Sequence, residues 1–376
     1  MSSTASMKIA LFTSTLEAGG AERVFSTMAN YWEEKQWSVT LITLSDASSD
    51  FYPLRQGVAR IGLGLIRDSD GLVSAWGNNV KRIRSLREAL KKIRPDVVIS
   101  FLDRPNILTL LATIGMDIKV IVSERTDPSF HHIGNAWNGI RRKVYPLAHA
   151  VVCQNDAVRH WLHTIVDPSL VHVIPNPVMG SPEKQDRTVR FRDFVPSLDG
   201  NDRIVVAMGR LSEEKGFHLL IQAFHLALRK EGGWSLVILG DGDLREDLRN
   251  LAIGLGLQGK VFFPGAVKNP TTLLNHADLF VLSSLYEGFP NALCEAMACG
   301  LPVVSFDCPS GPREIIREGV DGRLVSPGDM EGLARVMADL MGDPEERKRL
   351  ATRAVEIVDR FAVEKIMDMW ETLIKS

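Results

Sequence analysis

The sequence predicts an α/β protein made of two doubly wound, Rossmann-like domains, each an open parallel sheet with helices on both faces. Short apolar runs recur in both halves, among them Val97–Phe101, Ala150–Cys153, Arg203–Gly209 and Leu279–Ser284. Such runs fit strands buried on both faces. Stretches with apolar residues at helical spacing separate them, so strand and helix alternate along the chain. With 376 residues there is material for two cores, and a polar, proline-containing segment without periodicity divides the halves. The expected boundaries are a first domain over 1–178, a linker over 179–202, a second domain over 203–358 and a closing helix over 359–376.

Lys8–Leu16 opens the chain as a strand. The turn after it holds Gly19 and Gly20, and Ala21–Glu34 carries Val24, Met28 and Tyr31 on one helical face. Paired glycines between a first strand and a first helix let backbone approach a ligand, although the spacing is not G-x-G-x-x-G. Val39–Leu44 is a second strand, followed by an irregular region to Gly77. Asp68-Ser69-Asp70 lies there without a preceding strand, so its resemblance to a metal-binding D-x-D is read as chance.

Asn79–Arg94 reads as a helix with Ile83, Leu86, Leu90 and Ile93 on an apolar stripe, among seven basic residues and one acid, Glu88. Such a charge run is either a solvated face or a surface for anionic lipid or a polyanionic acceptor. Val120–Ser123 ends in Glu124 and Arg125, whose side chains are expected at the crevice beyond the strand ends. His131 and His132 read as surface histidines.

In the second half, Arg203–Gly209 is a strand, with Arg210 at its carboxyl end and Lys215 before the next helix. Two cations there can hold a diphosphate, the arginine bidentately and the lysine as a point charge. Trp234–Asp241 and Lys260–Gly265 are further strands, with Asp241 and Asp243 expected to cap the following helix and Ala266–Asn269 reaching toward a nucleotide base. Leu279–Ser284 and Pro302–Phe306 flank the stretch that organises this half. Between them Pro290 marks a helix start and Gly300 its end. The N–H groups of Asn291, Ala292 and Leu293 are expected to be free for a phosphate. Glu287 before that helix and Glu295 within it suit hydroxyl donors rather than anions. Gly328–Leu340, Glu345–Val358 and Val363–Ile374 close the chain as helices.

The run EGFPNALCEAMACGLPVV resembles the motif of retaining glycosyltransferases of family 4, which have the two-domain GT-B fold with its domains facing across a cleft. GRLSEEKG resembles the same family's G-R-(x4)-K-G segment, and GGAER its glycine-rich loop. The resemblance implies catalytic roles for Arg210, Lys215 and Glu287. It implies a donor site of Gly19, Gly20, Gly209, Arg210, Lys215, Val267, Glu287, Gly288, Phe289, Pro290, Asn291, Ala292, Leu293 and Glu295, the last holding ribose. Some family members carry a histidine near the Ser123–Arg125 loop that touches the transferred sugar. Here Ser-Glu-Arg stands instead, which suggests that Glu124 or Arg125 meets the acceptor, beside Glu22 and Arg23.

The resemblance further implies a UDP-linked hexose or N-acetylhexosamine donor, a polyprenyl-diphosphate-linked glycan acceptor, and neither metal nor bound cofactor. A nucleotide-sugar-binding protein without transfer activity, and an epimerase, stay open as alternatives.

The net charge of −2 encodes no general pull toward nucleic acid. Residues 1–180 carry 20 basic against 16 acidic residues and the remainder 24 against 30, a basic first half and an acidic second. Cys153, Cys294, Cys299 and Cys308 sit in apolar runs without paired spacing, as expected of thiols in a reducing compartment. No secretory leader or spanning segment is read, so the expected location is the cytoplasm, with peripheral contact to an anionic membrane.

Overall fold

The structure, a computed structural model, describes residues 6–66, 72–180 and 191–376. The chain forms two units, one of Met1–Asn176 with Ile366–Ser376, the other of Pro177–Lys365.

The first unit holds strands β1 (Lys8–Thr13), β2 (Ser38–Thr43), β3 (Ala59–Gly62), β4 (Val97–Phe101), β5 (Lys119–Ser123), β6 (Ala150–Cys153) and β7 (Val171–Val173). They form one sheet in the order β3-β2-β1-β4-β5-β6-β7, every pair parallel. The order reverses between β1 and β4, which makes the carboxyl ends of those strands the topological switch point. Helix Gly20–Glu34 packs Val24, Phe25, Met28, Ala29 and Trp32 inward, the spacing of one buried face.

Strand β3 falls inside the region expected to be irregular. Its sequence, ARIG, offers no apolar run; it is held by parallel pairing with β2, to which side-chain bonds add. The Arg60 guanidinium donates to both Asp50 oxygens (2.8 and 2.6 Å) and to Thr43 Oγ1 (2.7 Å) on β2. Asp68 and Asp70 lie outside the described residues.

The basic helix runs over Leu72–Ile93, longer at its start than the sequence suggested. Leu86 and Leu90 are fully buried, and Ile83 and Ile93 pack on the same core, so the apolar stripe belongs to the unit's interior. Two of the seven cations also serve the fold. Arg87 Nη1 donates to the carbonyls of Ala112 and Ile114 (2.6 and 2.8 Å), satisfying the end of helix Asp103–Thr113. Arg82 donates to Leu65 O and Asn79 Oδ1. Lys81, Arg84, Lys91, Lys92 and Arg94 stay exposed.

The closing helix, Val363–Lys375, places Ile366, Met367, Trp370 and Ile374 in the first unit's interior. Lys35 Nζ donates to Glu371 Oε1 (2.7 Å) and Lys119 Nζ to Ile374 O (3.3 Å).

The second unit holds β8 (Arg203–Met208), β9 (Trp234–Leu239), β10 (Val261–Gly265), β11 (Leu279–Leu282), β12 (Val303–Phe306) and β13 (Arg323–Val325). They form a parallel sheet in the order β10-β9-β8-β11-β12-β13, with its switch point between β8 and β11. The segment expected to be a linker is partly core: Phe191, Val195 and Leu198, with Val178 just before it, are buried among Phe280, Leu293 and Ile357. Asp241 and Asp243 do not cap the next helix, Arg245–Gly254, whose cap residue is Leu244. Asp241 Oδ1 instead accepts from Gly242 N–H (2.9 Å). The segment expected as one helix over Glu345–Val358 is two, Pro344–Ala354 and Ile357–Arg360.

Candidate active site

In an open parallel sheet the loops beyond the carboxyl ends at the switch point converge. In the second unit these are the loops after β8 and β11, and they carry Arg210, Lys215 and Glu287. The two loops are stitched together: Ser283 Oγ donates to Lys215 O (2.8 Å) and Leu285 N–H to Glu214 O (2.8 Å). Gly216, at φ +59°, makes this approach possible, because a Cβ there would lie 2.2 Å from Ser283 O. Only glycine fits such a contact at such a dihedral.

The stitching delivers Lys215 Nζ to 2.6 Å from Glu287 Oε1, and Ser284 Oγ donates to the same oxygen at 2.6 Å. Glu287 is only 9% exposed, and its N–H donates to Pro309 O (3.3 Å) in the loop after β12. Cation, hydroxyl and carboxylate are thus held together by the protein's own bonds. Sequence reading gave Lys215 and Glu287 separate ligand roles; the structure pairs them. Ser284 was missed, although a hydroxyl three residues before Glu287 was there to be read. The chain of Lys215 passes beside Gly209, where a Cβ would touch it at 3.4 Å. Arg210 is exposed at the end of β8, and Val267 packs partly buried on the unit's core.

Helix Asn291–Ala298 begins one residue after Pro290, which is its cap rather than its first residue. The expected free N–H groups are partly spent: Asn291 N–H donates to Phe289 O (2.9 Å) and Leu293 N–H to Pro290 O (3.0 Å). Phe289 and Leu293 are buried, and the Phe289 ring meets Phe361 edge-on at 5.6 Å. Their side chains are core, so any ligand contact from them uses backbone. Gly288, Ala292 and Glu295 are partly exposed. Burial pushes the Cys294 thiol above its ordinary range and that of Cys308 up to about 12, so neither thiol is a nucleophile at neutral pH.

In the first unit, Gly19 precedes helix Gly20–Glu34, and its carbonyl accepts from Arg23 N–H (3.1 Å). A Cβ on Gly19 would lie 2.2 Å from a Glu22 carboxylate oxygen, so the glycine makes room for Glu22 over the helix start. Glu22 and Arg23 are partly exposed.

Glu124 and Arg125 differ from the expectation that they face the crevice. Glu124 Oε1 accepts from Tyr145 OH (2.5 Å) and Arg141 Nη1 (3.1 Å), all three side chains lying inside the unit. Burial pushes the Glu124 carboxyl up from its usual range, with Arg141 opposing the shift. Arg125 lies over the Phe101 ring at 3.4 Å and donates to Asn176 Oδ1. The local sequence, Ser-Glu-Arg after a strand, gave no sign of partners 17 to 51 residues away.

Among the described residues, no group of three or more His, Cys, Asp or Glu is placed to hold a metal, and no helix is long and apolar enough to cross a membrane.

The halves match two family descriptions, "Glycosyltransferase Family 4" over residues 18–179 and "Glycosyl transferases group 1" over 189–356. A relative from Campylobacter jejuni is named GalNAc-alpha-(1->4)-GalNAc-alpha-(1->3)-diNAcBac-PP-undecaprenol alpha-1,4-N-acetyl-D-galactosaminyltransferase. It is 31% identical over 369 residues, covering 98% of each chain. A second C. jejuni relative, an N-acetylgalactosamine-N,N'-diacetylbacillosaminyl-diphospho-undecaprenol 4-alpha-N-acetylgalactosaminyltransferase, is 26% identical over 96% of this chain and 97% of its own. Among solved structures, Anabaena Alr3699/HepE in complex with UDP and glucose superposes with a TM-score of 0.81 at 21% identity, covering 98% of this chain and all of that one. Two parallel α/β sheets, the paired motifs at the second switch point and full-length similarity to these relatives agree: the chain belongs to the group 1, family 4 glycosyltransferases and has the GT-B fold.

Proposed function

We propose that the protein is a retaining, metal-independent hexosyltransferase that moves a hexose or N-acetylhexosamine from a UDP-linked donor to a polyprenyl-diphosphate-linked glycan. The observation that carries this reading is the Lys215–Glu287 pair at the second switch point, with Arg210 at the end of the adjoining strand. Transfer requires a departing diphosphate and a sugar with developing positive charge to be stabilised together. Lys215 and Arg210 supply positive charge for the first. Glu287 supplies a carboxylate for hydroxyls of the sugar and for its positive charge, and Glu295 holds the ribose hydroxyls.

Lys215 and Glu287 neutralise each other before donor binding, which keeps two charged groups in place at the edge of a low-dielectric core. When a diphosphate arrives, Lys215 shares its donors with the new anion and Glu287 is released toward the sugar. The charge demanded by the leaving group is then met by side chains alone, without a divalent ion. Attack from the face the leaving group departs from preserves the anomeric configuration, and the leaving phosphate oxygen takes the acceptor's proton.

The acceptor class rests on the undecaprenol-diphosphate glycans in the names of both C. jejuni relatives. The four exposed cations of the basic helix, with Arg94 just after it, suit an anionic membrane on which such an acceptor resides, each contributing about 1 kcal/mol near the surface. The test is a panel of UDP-, GDP- and ADP-sugars assayed for nucleoside diphosphate release, with and without undecaprenyl-diphosphate-linked oligosaccharides. Release that depends on a UDP-sugar and on the lipid-linked acceptor supports the reading; release with a soluble acceptor alone would remove the lipid-linked part.

A further inference from the structure

The first unit gathers a second set of polar groups at its own switch point. Strand β4 is followed by Leu102, the cap of helix Asp103–Thr113, held at φ +75° and ψ 154°, a region that residues with side chains seldom occupy. Leu102 N–H donates to Ser123 O (3.1 Å) and Leu102 O accepts from Asn106 N–H (2.9 Å), which fixes the turn. The turn delivers Asp103, whose carboxylate accepts from Arg104 N–H (2.5 Å) and lies 3.2 Å from His131 Nε2. His131 is itself fixed: its N–H donates to Asp127 O (3.0 Å), and Ser129 N–H donates to Asp127 Oδ1 (2.9 Å).

Behind this pair the buried Glu124, Arg141 and Tyr145 hold the β5 loop, so the dyad stands on a rigid base. In front, the His131 side chain is 48% exposed and the neighbouring Phe130 44%. Arg104, also exposed, lies 5.9 Å over the Trp137 ring. With Nε2 committed to Asp103, Nδ1 is the ring nitrogen left for another partner.

The charges nearly cancel: Asp103 and Glu124 face Arg104 and Arg141, with His131 between. Such a set does not select a phosphate. An exposed aromatic residue next in the chain to an imidazole that meets a carboxylate, with an exposed arginine following that carboxylate, fits a neutral polyol, whose C–H face can lie on a ring while its hydroxyls donate and accept. We propose that Asp103, Arg104, Phe130 and His131 form a hydroxyl-binding subsite for the sugar of the acceptor glycan, with His131 as its specificity-determining residue. The proposal rests on the transferase reading above for the source of that sugar.

The experiment is ligand-observed saturation-transfer NMR on the full chain with three free disaccharides, maltose, chitobiose and α-1,4-linked N-acetylgalactosamine disaccharide. Calorimetric binding of UDP is measured in parallel. At least one disaccharide is expected to bind the wild type. His131→Ala and Phe130→Ala should each weaken it about tenfold. His131→Gln, which keeps a hydrogen-bonding group, should recover most of the loss, and UDP affinity should not change. Absence of binding by all three sugars, or equal binding by His131→Ala, overturns the subsite. Binding through His131 in a protein that releases no nucleotide from any donor would leave the subsite standing and sink the transfer reading instead.

Discussion

At the residue scale, Lys215 and Glu287 depend on each other, and this sets what their substitutions should do. Lys215→Ala leaves Glu287 with Ser284 as its remaining hydrogen-bond donor of the two seen here. Loss of a preorganised charge at a developing anion costs roughly 3–4 kcal/mol of barrier, about 10²–10³ in kcat. Lys215→Ala, Arg210→Ala and Glu287→Gln are each expected to show that loss with a verified donor, while circular dichroism of the folded protein stays unchanged. Wild-type turnover in Lys215→Ala would remove the diphosphate assignment.

The Asp103–His131 pair gives a pH prediction. Hydrogen bonding to Asp103 raises the His131 pKa above its ordinary value near 6.5, with Arg104 opposing and Glu124 assisting. Burial pushes the Asp103 carboxyl up, but the bond and charge of His131, the Arg104 N–H and the Arg141 charge together outweigh it and leave the group below its ordinary value near 3.8. The pair's stabilisation is thus complete between about pH 4 and 6.5. It is lost in acid as Asp103 takes a proton, and lost on the alkaline side as His131 releases one. The thermal midpoint of the wild type should exceed that of His131→Gln near pH 6, and the gap should close as pH rises. A gap that grows with pH would contradict the pairing. The dyad itself was not legible: Asp103 and His131 are 28 positions apart, and no local pattern joins them, whereas Lys215 and Glu287 each stood in a recognisable motif.

At the element scale, the strands that could be read were those buried on both faces, such as β4, β6 and β12. Edge strands β3 and β13 could not, because ARIG and RLV owe their place to pairing with β2 and β12 rather than to an apolar run. The same limit hid the core role of Phe191, Val195 and Leu198, whose partners lie about a hundred residues further on. The basic helix shows both sides of the problem. Its stripe is interior, so Leu90→Ala should destabilise the protein by roughly 2–5 kcal/mol in denaturant titrations. Its exposed Lys91 and Lys92 are separable from that stripe. Changing both to glutamate should leave the midpoint within about 0.5 kcal/mol of wild type yet reduce co-sedimentation with anionic vesicles at low salt. Undiminished sedimentation would place any membrane contact elsewhere.

At the scale of the whole molecule, residues 1–180 carry 20 basic against 16 acidic residues and the remainder 24 against 30, so the positive charge proposed to meet the donor's diphosphate is local to Arg210 and Lys215 and not a property of the second half as a whole. Fixed side-chain charge meets the leaving group in this account, so EDTA should leave turnover nearly unchanged, and a strict need for Mg²⁺ or Mn²⁺ would bring Asp68 and Asp70 back into consideration. The most direct measurement is the anomeric configuration of the product, by proton NMR, after transfer from a UDP-α-linked sugar to an undecaprenyl-diphosphate-linked oligosaccharide. The account predicts an α-linked product from the wild type and at least a hundredfold less of it from Glu287→Gln; a β-linked product, or equal yield from the variant, would contradict it.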